Sequence, residues 1–147
     1  MTDHPTALAT TLLRVALGLM FLAHSILLKA LTFGLPGTAA YFASIGLPPW
    51  LAYLTFAVEA VGGTMLVLGI HARVAAVALL PVLLGALTVH WPNGWVFTAT
   101  GGGWEYPAYL AVLTVAQAML GDGAYALRPS RPLAAYPGGR ALLAARA

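Results

Sequence analysis

Between Trp50 and Gly69 the chain reads WLAYLTFAVEAVGGTMLVLG, an apolar run interrupted by one carboxylate, Glu59. About 20 such residues suffice for one helix to cross a hydrocarbon core of roughly 30 Å. A carboxylate near the middle of such a helix is costly unless it is paired, hydrogen-bonded, protonated or wet. Few other groups in the chain can answer it. Residues are 61% hydrophobic and 7% charged, with a mean hydropathy of +0.86. A soluble domain carries roughly 25% charged residues, so this chain reads as an integral membrane protein.

Three further apolar stretches have helical length. The first runs from about Ala7 to Leu28 and ends near Lys29, which reads as an interfacial anchor. The third runs from about Val74 to His90 with Pro81 inside it, and the fourth from about Trp104 to Leu120. The expected fold is all-α: a four-helix membrane bundle over residues 1–123, followed by a loosely ordered Arg- and Pro-containing tail, 124–147. Two Gly-Leu-Pro turns bracket TAAYFASIG, which predicts a short extra helix in the loop between spans 1 and 2. Four spans put both termini on one side, together with Arg73, Arg128, Arg131, Arg140 and Arg146; the other side has Lys29. The positive-inside rule makes the arginine side cytoplasmic. The expected location is the cytoplasmic (inner) membrane of a bacterium or archaeon.

The polar groups of the spans form a ladder. Arg14 lies roughly 7 Å to the cytoplasmic side of the first helix's centre and His24 roughly 7 Å outward, at 1.5 Å per residue. Glu59 sits near the centre of the second span, within reach of an extended Arg14. His90 and Glu105 lie at the outer boundary, beside Trp104. Each has a plain reading: an Arg14–Glu59 structural ion pair, a His24 bond to a backbone carbonyl, an interfacial His90, and Glu105 as a first-turn acid favoured by the helix dipole. Gly62 and Gly63 permit close helix packing or open space for a flat ligand. Cysteine is absent, so thiolate metal sites are excluded, and His24 and His90 lack an i, i+4 partner for a metal. No basic face interleaved with aromatics points to nucleic acid.

The first-span arginine and histidine, FGLPG…YFASIGLPP, E-x-x-GG from Glu59, H-x-P-N-G from His90 and GGWEYP around Glu105 resemble the DoxX family, from about Leu13 to Gly121. That resemblance implies a small four-helix membrane protein related to the membrane subunit of thiosulfate:quinone oxidoreductase. It also implies association with membrane oxidoreductase complexes. Where such proteins often read His-Gly, this chain has His24-Ser25, which narrows any pocket there. The expected role is a quinone-interacting component in which His24 and Glu59 exchange protons or hydrogen-bond the ring carbonyls and Arg14 holds Glu59 ionised or tunes its pKa. His90, Glu105, Gly62, Gly63 and Trp104 would form the pocket or proton path. Expected partners are the bilayer, an oxidoreductase subunit and a second copy of the chain. The alternatives are a non-enzymatic scaffold or chaperone for membrane proteins and, third, a small transporter or proton path.

Overall fold

A computed structural model describes residues 4–137. Five α-helices account for the fold, and the described residues hold no strand. Helix α1 (His4–Leu22) continues without a break into a π-helical segment, Ala23–Thr32. The short α2 (Leu35–Ser44) lies in the connector where an extra helix was expected. Then follow α3 (Trp50–Leu68), α4 (Ala72–His90) and α5 (Glu105–Leu120).

Three helical stretches are long and apolar enough to cross a membrane: His4–Thr32, Trp50–Leu68 and Ala72–Asn93. Helix α5 packs beside them but has 16 residues, about 24 Å of rise. The long helices form a ring in which α1 touches α3 and α5, and α4 touches the same two. Leu17, Phe21, Leu66, Leu79, Leu83 and Leu110 fill the middle with small residues of α4, Ala72, Ala75 and Ala76. The outside is as apolar as the inside: Leu12, Val77, Tyr109 and Val112 are each more than 60% exposed. A lipid solvent asks for that distribution.

Glycines set the closest approaches. A Cβ on Gly18 would meet the Gly63 carbonyl at 2.8 Å, and one on Gly63 the Gly18 carbonyl at 3.0 Å, so α1 and α3 cross there backbone to backbone. A Cβ on Gly62 would meet the Leu79 side chain at 2.9 Å. Of the two sequence readings for this pair, the packing one describes the contacts.

The end where α1 begins, called basal here, is closed by side chains that finish other helices. The Arg14 guanidinium donates to Leu66 O at 3.1 Å and Ala124 O at 3.3 Å. It thereby caps α3, whose chain turns away through left-handed Gly69; a side chain at Gly69 would collide with Arg14. Arg73 donates to Ala118 O and Met119 O at the end of α5. Asp122 accepts from the Ala72 N–H at the start of α4, and from Ser130. Helix ends leave such groups without intrahelical partners. The segment after α5 is therefore fastened, contrary to the expectation of a loose tail: Ala124 N–H donates to Ala7 O, and Arg128 N–H to Gly69 O. Arg140 and Arg146 lie outside the described residues.

Candidate functional site

The opposite, distal half of the bundle holds the charge pair. Lys29 Nζ lies 2.6 Å from Glu59 Oε2, and the two side chains are 16% and 6% exposed. Glu59 is the tenth of the 19 residues of α3, so the pair reaches the middle of that helix.

Arg14 does not meet Glu59, which corrects the sequence expectation. Gly18 and Gly63 fix the register of two antiparallel helices. Arg14 lies four residues to the basal side of Gly18, and Glu59 four to the distal side of Gly63. The eight residues between them amount to about 12 Å. Direction adds to distance, because helical side chains lean toward their own N-terminus. Arg14 leans basally and Glu59 distally, so they diverge. Lys29 on the first helix leans basally, so it converges on Glu59. Lys29 is not the interfacial anchor it was expected to be, because the first helix runs on to Thr32. A signal for it was present: Arg14, Gly18, Phe21, Ser25 and Lys29 follow one another at spacings of three and four, one face of the first helix.

The π-helical segment begins where two polar side chains take carbonyls of the preceding turn. His24 Nδ1 lies 3.0 Å from Met20 O, and Ser25 Oγ donates to Phe21 O at 2.9 Å. A carbonyl can only accept, so Nδ1 carries a proton, and in the neutral tautomer that leaves Nε2 as an acceptor. Such side-chain bonds compete with the helical ladder. The turn widens, and Phe33 N–H reaches back five residues to Leu28 O at 2.9 Å. π-Helical turns occur mostly as single bulges, frequently at functional sites; this one brings His24, Ser25 and Lys29 into a single widened stretch. Ser25 is fully buried, in keeping with the narrowing read from His24-Ser25.

His24 looks toward α5, where Tyr106 stacks on it with ring centroids 6.2 Å apart. Lys29 is the cation paired with Glu59. Thr38 of α2 donates to Lys29 O at 3.3 Å and covers this side.

The other expected site residues sit apart, at the distal rim. His90 Nδ1 lies 3.0 Å from Gly101 O and 3.1 Å from Gly102 O, and Asn93 donates to the same carbonyls. His90 is thus a latch on the glycine loop. Trp104 stacks on Trp91 at 4.6 Å and meets Trp95 edge to face at 4.5 Å, so its ring is occupied by two others. Glu105 lies half-buried beside Trp95, Trp104 and Tyr106 in an open groove. The structure therefore joins Lys29 to Glu59 and Tyr106 to His24, and shows Arg14, His90, Gly62 and Gly63 in other contacts. Among the described residues no three His, Cys, Asp or Glu side chains gather to hold a metal ion.

A Bacillus subtilis (strain 168) protein named "Putative oxidoreductase CatD" is 36% identical over 80 residues, covering 54% of this chain and 58% of that protein. The chain thus spans little more than half the length of that relative. No solved structure matches it. The DoxX family profile matches residues 9–91, which include Arg14, His24, Lys29, Glu59 and the Gly62–Gly63 pair. This membrane protein belongs to the DoxX family.

Proposed function

We propose that the chain is the quinone-interacting component of a membrane oxidoreductase system, with the contact made in the distal half of the bundle. In this reading α5 is the fourth span, both termini face the cytoplasm, and the membrane is the inner membrane of a prokaryote. One observation carries the proposal: a lysine and a glutamate paired at 2.6 Å in an apolar interior, the lysine sharing its π-helical segment with His24. The relative's name supports an oxidoreductase setting.

The donor set fits a quinone. Lys29 offers an ammonium to a ring carbonyl. Glu59 and His24 Nε2 offer acceptors to a hydroxyl, because His24 spends its Nδ1–H on Met20 O. A bound quinone would supply the two-electron chemistry, with a partner subunit giving or taking the electrons. The part of this chain is to orient the ring and to hold protons at Glu59 Oε1, the oxygen that Lys29 leaves free, and at His24 Nε2. Arg14, engaged with Leu66 O and Ala124 O, has no part in that step.

Purified protein in nanodiscs, titrated with a short-chain quinone analogue, tests the reading. Wild-type protein is expected to bind, and Lys29→Met or Glu59→Gln to weaken binding about tenfold or more, the size of one charge-assisted hydrogen bond. Equal binding by all three, or none by folded wild-type protein, refutes it. A stoichiometric protein partner recovered in mild detergent, with no bound small molecule, would favour the scaffold alternative.

A further inference from the structure

The groove at the head of α5 has a second use. Glu105, Trp95, Trp104, Tyr106, Tyr109 and Val112 line about 510 Å³ that opens sideways. From Glu105 to Val112 is seven residues along one face of α5, about 10 Å from an acidic, aromatic top to a purely apolar foot. The polarity gradient is that of a phospholipid entering a bilayer, and the level is that of the Trp and Tyr belt.

Charge selects the headgroup. The distal half carries Lys29, Glu59 and Glu105, and Lys29 is paired with Glu59. The arginines placed by hydrogen bonds through their own side chains, Arg14 and Arg73, are at the basal end, where Arg128 is also fastened by its backbone. His24 and His90 turn Nδ1 to backbone carbonyls. Among the described residues Glu105 is left without an ion-pair partner.

We propose that this groove holds one phospholipid with an amine headgroup. Its ammonium sits on the Glu105 carboxylate beside the indole of Trp95, which attracts cations through its ring face. The Tyr106 and Tyr109 hydroxyls are donors suited to the phosphate, and the first acyl segments lie along Tyr109 and Val112. The inference rests on α5 being the fourth span and not on quinone binding.

The test is lipid retention by the full chain, reconstituted in vesicles of equimolar phosphatidylethanolamine and phosphatidylglycerol, extracted gently and weighed by native mass spectrometry. Phosphatidylethanolamine should be enriched about fivefold, the size of one exposed ion pair. Glu105→Gln should bring the ratio to parity, and Glu105→Asp should recover part of it. Phosphatidylcholine, which keeps the cation, should compete better than phosphatidylglycerol. Thermal melting of each variant verifies folding. Parity in the folded wild-type protein, an enrichment that survives Glu105→Gln, or displacement of the lipid by a quinone analogue overturns the proposal. Quinone affinity unchanged in Glu105→Gln but lost in Lys29→Met separates this site from the one above.

Discussion

Replacing Lys29 by Met removes the cation that holds Glu59 and leaves a carboxylate 6% exposed at the midpoint of α3. Removing one partner of a buried pair costs about 3–5 kcal/mol, because the remaining charge is unpaired. The converse change, Glu59→Met, strands Lys29, whose side chain is 16% exposed near a helix end. A lysine there can swing its long stem toward the interface, so the cost falls to about 1–3 kcal/mol, that of one unsatisfied polar group. The double variant, Lys29→Met with Glu59→Met, replaces both charges with side chains of similar volume and should lie near wild type, as apolar replacement of buried pairs often does. The singles therefore sum to about 4–8 kcal/mol against roughly zero for the double. Reversible unfolding in detergent or bicelles measures the four states of the cycle. Effects that add within about 0.5 kcal/mol would show that the two residues do not act on each other, and both the pair and the site built on it would fall.

Other perturbations probe the frame. Gly18→Val or Gly63→Val should destabilise by about 1–3 kcal/mol through overpacking at the α1–α3 crossing, read by the same unfolding assay, whereas a change at Gly85, which has open space around it, should be close to neutral. Arg14→Lys should lose at least one of the two carbonyl bonds made by the guanidinium, about 1–3 kcal/mol, and should speed amide exchange at Ala124 and Arg128. His90→Ala should release the loop at Gly101 and Gly102, seen as faster exchange there and a changed Trp91–Trp104 fluorescence signature, with little effect on global unfolding.

Much of the frame was legible because it follows from single residues. Apolar length marked three helices long enough to span, the Gly-Leu-Pro turns marked α2, and Gly62–Gly63 marked a close contact. The partner of Glu59 was not legible from span limits, because they took Lys29 as the end of a helix that continues to Thr32. Depth from each helix's own midpoint also misplaced Arg14. The register of α1 on α3 is set by where Gly18 meets Gly63, which needs the packed structure. Side-chain lean alone would have separated Arg14 from Glu59 and favoured Lys29, and that rule needs only helix direction. The roles of Asp122 and Arg73 were hidden for another reason: each completes a different helix from its own neighbourhood, and sequence spacing carries no trace of such long-range capping.

The bond between Ala124 and Ala7, with Thr11 and Arg14 on the same late carbonyl, has a consequence for biogenesis. Helix α1 leaves the ribosome more than a hundred residues before its final fastening at residue 124 has been made. Until then its arginine lacks one acceptor and the ring of helices is not closed. A ribosome stalled before that point should expose a bundle in which the first helix is still exchangeable, and quality-control proteases would meet it in that form.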